Sequence, residues 1–219
     1  MTKCVEKSAR FLYHIKRLCH LEGDFLKALR SFLLAAAAVW VLSACSNSDF
    51  QGNMDVEVQA FEHTNQDGEK VSLSDLEGKV WLANFIFTNC TTVCPPMTRN
   101  MSEVQDLLNE EGVENYEIVS FSVDPERDTP DALKEYISHY EADESNWNLL
   151  TGYSPDDIQT FAEESFQALA VPDPNSDQFI HGTSFYLINK EGTVVKSYDG
   201  NMEVPFDEIV LDVKQLSEG

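Results

Sequence analysis

Three things are scarce in this 219-residue chain, and each scarcity excludes something. Basic side chains are few: 15 Lys and Arg stand against 38 Asp and Glu, for a net charge of −23. The deficit is uneven. Residues 1–44 hold seven of the bases and three acids, so residues 45–219 carry 8 bases and 35 acids, a net of −27. Such a surface repels phosphate backbones and anionic lipid headgroups, which excludes a nucleic-acid-binding role. It suits either a saline or alkaline exterior or docking of a basic protein patch. Cysteines number five, too few and too scattered for a disulfide framework. Cys4 and Cys19 lie in the basic leader, Cys45 closes an apolar run, and only Cys90 and Cys94 fall in the globular part. Long apolar runs are missing as well. The run Phe32–Leu42 has 11 residues, short of the roughly 20 that span a bilayer.

That run fits the apolar segment of a signal peptide, with Lys27 and Arg30 as its positive flank. It ends in Leu42-Ser43-Ala44-Cys45, which resembles a bacterial lipobox. In such signals the cysteine thiol is diacylglycerol-modified and the chain is cut just before it. Cys45 is therefore the expected lipidation site, with residues 1–44 as leader and 45–53 as a polar tether. More than one buried acyl chain then gives stable anchoring. Residues 1–25 are long for a leader's basic start and carry acids, so Leu26 is a candidate translation start.

The remainder, 54–219, reads as one α/β domain. Val56–Phe61 alternates like a strand, Asn65-Gln66-Asp67-Gly68 is a turn signal, and Lys70–Leu73 returns, which together predict an N-terminal β-hairpin. Lys79–Thr88 is almost continuously apolar, as in a central strand covered on both faces. Pro95 and Pro96 suit the first turn of a helix. Met97, Met101, Val104, Leu107 and Leu108 continue it as an amphipathic stripe that Gly112 ends. A strand over Tyr116–Val123 follows, then a helix capped by Thr129 and Pro130 and running through Tyr140. Next come a short strand at Trp147–Leu150 and a helix from Ser154. Pro172–Asp177 reads as a polar loop. A late antiparallel hairpin turns about Glu191-Gly192, and a last helix covers Phe206–Leu216. Alternating β and α elements predict a parallel sheet core with antiparallel additions.

The chemistry concentrates where the apolar strand ends. Cys90 and Cys94, with three residues between them, lie on the strand-to-helix turn, the sheet edge at which ligands bind in open α/β folds. Cys94 at a helix start gains from the positive end of the dipole, so both thiols are expected to be reactive. The spacing allows a disulfide, a structural cross-link or two ligands on one metal. Two thiolates suit Cu(I) and Zn(II), and an added imidazole admits Cu(II). Of five histidines, His14 and His20 lie in the leader, His63 in a turn region and His139 on a helix surface. His181 precedes the strand Thr183–Asn189. If that strand runs antiparallel to the thiol strand, His181 shares its edge; otherwise it is an ordinary loop histidine. Asp124 closes the next strand on that edge, as a partner behind the ligands or as a turn residue. Met97 belongs to the apolar stripe.

Three blocks of sequence resemble the Sco/SenC family: Phe87–Met97, Phe121–Pro130 and His181–Ile188, in the family's order across most of 54–219. The resemblance implies a thioredoxin-like central sheet flanked by helices, with an N-terminal β-hairpin. It implies copper, as Cu(I) or Cu(II), bound by Cys90, Cys94 and His181. It also implies a role in assembling the dinuclear copper site of cytochrome c oxidase subunit II. Asp124 matches an aspartate that the family keeps near the metal, and Gly182 stands where many members have a larger polar residue. The implied partners are subunit II, a copper donor or thiol reductant, and the membrane through a lipid anchor on the extracytoplasmic face. Cys90 and Cys94 would also form the redox pair of a rival reading, a membrane-tethered thiol–disulfide reductase without obligatory copper. A peroxide-reducing enzyme of the peroxiredoxin sort shares the fold but needs its own single-cysteine motif. The two-residue thiol spacing of thioredoxin is absent, which disfavours general disulfide exchange.

Overall fold

The computed structural model describes residues 50–218, which make one compact unit. Its organising element is the strand β4, Val80–Ile86, buried at all seven positions. A strand of this composition needs cover on both faces, and the sheet supplies it by placing β4 centrally. β4 runs parallel to β5 (Tyr116–Ser122), which runs parallel to β6 (Trp147–Leu150). On its other side β4 pairs antiparallel with β9 (Ser184–Ile188), followed by β10 (Thr193–Asp199) and the two-residue β1 (Val56–Glu57). The six-stranded order is β1-β10-β9-β4-β5-β6. Helices α1 (Cys94–Glu110), α2 (Pro130–Ile137), α3 (Pro155–Phe166) and α4 (Phe206–Glu218) flank it. This is the parallel core with antiparallel additions expected from the element pattern, and the thioredoxin-like arrangement that the resemblance implied.

The local chemistry accounts for the helix starts. Thr129 caps α2, its hydroxyl accepting from the Ala132 N–H at 3.2 Å, with Pro130 at the first helical position. Ser154 and Asp157 form a reciprocal capping box on α3. Gly112, at φ +72°, ends α1 as expected. Met97, Met101, Val104 and Leu108 are fully buried along one stripe of α1, which places Met97 in the core. Aromatic rings fill the space beneath β4 and β5: Phe121 lies 5.0 Å from Phe161 and 5.9 Å from Phe85, centroid to centroid.

The N-terminal hairpin is present but shifted. Its strands are β2 (Glu62–Thr64) and β3 (Lys70–Ser72), closed by Gly68 at φ +78° and by the Asn65 side chain, which accepts from Asp67 and Glu69 N–H. Val56 and Glu57, expected as its first strand, instead pair with β10 at the sheet edge. His63, expected in a turn, lies on β2 with its ring stacked on Phe61 at 5.4 Å. Helix α2 stops at Ile137, so His139 is exposed just beyond the helix rather than on it. The expected polar loop at Pro172–Asp177 joins the strands of a second hairpin, β7 (Ala170–Pro172) and β8 (Phe179–His181), which no sequence pattern announces. Of the expected tether, residues 50–53 lie on the domain. The Asn53 and Met54 N–H groups donate to the Val195 carbonyl, and Asn53 exchanges side-chain bonds with Ser197. Cys45 and the leader lie outside the described residues.

Candidate metal centre

The sheet's topology brings the three sequence blocks to one edge. β4 delivers Phe87-Thr88-Asn89 and the thiol turn at its carboxyl end, and α1 begins at Cys94. β5, parallel to β4, ends beside it and leads into Asp124. β9 runs antiparallel to β4, so the segment that enters β9 lies at the same edge. That segment is β8, and its last residue is His181.

Cys90, Cys94 and His181 are all buried, with their donor atoms within 4.8 Å of one another. Both cysteines are free thiols. His181 Nε2 lies 3.3 Å from Cys94 Sγ, and the Cys94 N–H donates to Cys90 Sγ at 3.4 Å. The other imidazole nitrogen, Nδ1, lies 2.8 Å from the Gly182 carbonyl oxygen. A carbonyl can only accept, so Nδ1 carries the proton and the Nε2 lone pair faces the sulfurs. That is the tautomer a metal-ligating histidine needs, held by a backbone acceptor. The Phe87 ring sits edge-on to the imidazole at 5.7 Å and packs on Phe179 at 5.5 Å, walling the site. A Cβ at Gly182 would make only ordinary contact with the Tyr186 hydroxyl, at 3.4 Å, so the space beside His181 would also take a side chain.

The two thiols are not equivalent. The pKa of Cys90 is pulled down to about 3. The largest cause is the Cys94 thiol donating to its sulfur; burial opposes this, and the Cys94 and Thr92 N–H groups assist. Cys94 is pushed up, first because its thiol is the donor in that bond, then by burial and by the charge on Cys90. The helix start does favour a thiolate, but its N–H points at the Cys90 sulfur rather than at Cys94's own. The charge therefore settles on the turn residue.

Asp124 is buried and sits at this edge, yet its carboxylate is committed to Arg127 at 3.2 Å, and its N–H donates to the Ser122 hydroxyl. Burial raises its pKa and Arg127 opposes the rise. Arg127 also donates to the Asp177 carbonyl at 3.1 Å. Gln178 donates to the Asn89 carbonyl and Asn89 to the Asp177 carboxylate, both at 3.3 Å. These bonds fasten the β7–β8 hairpin, and with it His181, to the thiol turn. The residue that sequence reasoning missed is Asp128. Fully buried, it accepts from the Thr88 N–H, the Thr88 hydroxyl at 2.6 Å and the Ser122 hydroxyl. It joins the ends of β4 and β5 directly beneath the thiol turn. Burial raises its pKa against those hydrogen bonds. The available signal was an aspartate within reach of Thr88 and Ser122, both at strand ends, and only the fold brings them together.

The donor set is two sulfurs and one imidazole, buried and convergent. It fits a soft or borderline cation, above all copper, and leaves a coordination position open.

Comparison with known proteins agrees with this reading of the site. The SCO1/SenC family model matches residues 51–218. The crystal structure of a SCO1/SenC family lipoprotein from Bacillus anthracis is 50% identical, with a TM-score of 0.71, over 75% of this chain and 96% of that one. BsSco, described as a member of the Sco family of cytochrome c oxidase assembly proteins with a disulfide switch, is 46% identical. Its TM-score is 0.71 over 77% of this chain and 98% of its own. Bradyrhizobium japonicum ScoI, solved with copper bound, is 27% identical, with a TM-score of 0.60 over 74% and 99% of the two chains.

Proposed function

This chain belongs to the SCO1/SenC family, and from that premise we propose that it is a copper-binding assembly factor for the dinuclear copper site of cytochrome c oxidase subunit II. Cys90, Cys94 and His181 are the copper ligands. The observation that carries this reading is the His181 imidazole, its Nδ1 proton committed to Gly182 and its Nε2 turned to the sulfurs at 3.3 Å. A disulfide pair has no use for a histidine held in that tautomer; a third metal ligand requires it. The open coordination position suits handing the metal on by ligand exchange. A copper-bound relative and a relative described as an oxidase assembly protein support the same role.

The proposed division is a leader over 1–44, a tether that starts at Cys45, and the copper domain, on which residues 50–53 already pack, with Cys45 lipidated and the domain on the extracytoplasmic face. The lipobox-like Leu42–Cys45 supports this, as does the description of the Bacillus anthracis relative as a lipoprotein. Among the described residues no helix is long and apolar enough to cross a membrane.

The deciding experiment is titration of the reduced protein with Cu(I) and Cu(II), followed by thiolate-to-copper charge-transfer absorption. One equivalent of Cu(II) developing that band supports the ligand set; no band refutes it. A second reading, reduction of the oxidase's copper-ligand cysteines, is favoured by the charge settled on Cys90, a nucleophile with Cys94 beside it as resolving thiol. The same sulfurs serve both roles, and a deletion strain tells which is required: copper supplementation rescues oxidase assembly in the first case and a small thiol reductant in the second.

A further inference from the structure

From Glu135 through Asn189 the sequence holds ten Asp and Glu, Glu135 included, and no Lys or Arg. Inside that run lies the β7–β8 hairpin, the element that carries His181. Its two faces differ. In the antiparallel register Ala170 opposes His181 and Val171 opposes Ile180. Opposed residues share a face and successive residues alternate. His181 and Phe179 therefore turn in toward Phe87, while Val171 and Ile180 turn out, with Leu169 two residues before Val171 on the same side. The Gly182 N–H donates to the Leu169 carbonyl, which extends the ladder and fixes Leu169 alongside. Leu169 is 55% exposed and Ile180 47%, two of four large exposed apolar residues among those described. Beside this ridge a groove of about 530 Å³ opens against α3, with Glu163 and Gln167 on its polar wall and Leu169 and Ala170 on its apolar one.

The geometry points to this outward ridge as the docking surface for the protein that receives the metal, through an apolar patch on that partner bordered by Lys or Arg. The inference rests on the copper reading and adds to it where the acceptor sits. Two features fix the occupant's chemistry. The ridge needs an apolar counterpart, and its setting, with Glu163 on the groove wall inside a stretch that holds acids and no Lys or Arg, needs positive charge. Arg127, which reaches the loop of this hairpin at Asp177, is already engaged by Asp124 and Asp177. Location supplies the third argument. The ligands are buried, so exchange requires an acceptor that approaches His181 closely. The back of β8 is one backbone away from that imidazole. A stable interface buries about 800 Å² per partner, so the ridge serves as an apolar centre and the acids as a charged rim. Rim charges of this kind speed encounter and make it salt-dependent.

The test uses the full chain in detergent with the metal-free, reduced copper-accepting domain of the oxidase's subunit II as probe. Leu169→Ser combined with Ile180→Thr should weaken binding by about tenfold or more. Its Cu(II) charge-transfer band should match the parent's. Glu163→Gln with Glu164→Gln should slow association and flatten its salt dependence, with dissociation unchanged. Should Ile180→Thr disturb the band, Leu169→Ser alone decides by the same binding measurement. Variants that bind like the parent overturn the inference, as does a parent that fails to bind the domain. In both cases a parent that keeps its charge-transfer band leaves the copper reading standing. A parent without the band overturns that reading instead, whatever the binding result.

Discussion

The Nε2 atom of His181 lies 3.3 Å from the Cys94 sulfur, while its Nδ1 is tied to the carbonyl of the residue that follows it, Gly182. One side chain thus couples a hairpin to a helix start through a single defined tautomer. Replacing it separates the two chemistries of the site. His181→Ala is expected to abolish tight Cu(II) binding and its charge-transfer band while leaving the Cys90–Cys94 thiol pair oxidisable. Paired copper titrations and thiol counts check it. A variant that binds Cu(II) as tightly as the parent would remove His181 from the ligand set.

The unequal thiols give a second expectation. With Cys90 held down to about 3, its alkylation by a neutral haloacetamide should be rapid and nearly independent of pH from about 5 to 8, with Cys94 trailing far behind. The main support for the Cys90 thiolate is the hydrogen bond from the Cys94 thiol. Cys94→Ala should therefore restore a pH-dependent Cys90 rate with its midpoint displaced upward. Mass-spectrometric peptide mapping over a pH series reads both. A Cys90 rate that rises across this range in the parent would show the charge is not settled there.

Much of this arrangement is legible in the amino-acid sequence. The strand β4 can be read because its residues are almost all apolar, as burial at all seven positions demands, and α1 because its apolar residues recur at helical spacing. His181 can be placed conditionally, since only the direction of β9 decides its edge. What escapes is of two kinds. β1, β7 and β8 have two or three residues each, too few for any periodicity to show. Val56 alternates with its neighbours as a hairpin strand should, and the edge of β10 captures it instead. The other kind is Asp128. Its burial and three donors come from segments 40 and 6 residues away in sequence, so its role is a property of the fold alone.

That role is testable. Asp128→Ala would strand the Thr88 N–H and two hydroxyls beneath the thiol turn. Each unsatisfied buried group costs about 1–3 kcal/mol, so a loss of several kcal/mol is expected in denaturant unfolding, with weaker copper retention. The pH dependence has a defined sign. Burial raises this carboxyl above its ordinary 3.8, so the folded state binds its proton more tightly than the unfolded state does. Its contribution to stability is therefore greatest below 3.8 and falls as pH rises through the elevated folded value. Asp128→Asn should lack that decline. An unchanged slope would place the titration elsewhere.

The last expectation concerns Lys196 on β10, buried between acids. Its amine lies 2.6 Å from Asp212 and 2.7 Å from Glu208, and it sits 5.3 Å from the Tyr198 ring centroid. Burial pulls its pKa down, but the two carboxylates more than reverse that, so it stays charged. Asp212 also accepts from the Tyr198 hydroxyl at 2.8 Å. Removing one partner leaves the other charge in a dry environment, which costs about 3–5 kcal/mol, whereas replacing both with apolar residues of similar size is often neutral. Lys196→Met should thus be strongly destabilising alone. Combined with Asp212→Leu, it should recover most of the loss, less the orphaned Tyr198 hydroxyl. Urea unfolding of the two single variants and the double variant closes the cycle. None of the three variants replaces Cys90, Cys94 or His181, so the copper band should survive in all three. A double variant no more stable than Lys196→Met would mean that the pair contributes through packing of the lysine stem rather than through its charges.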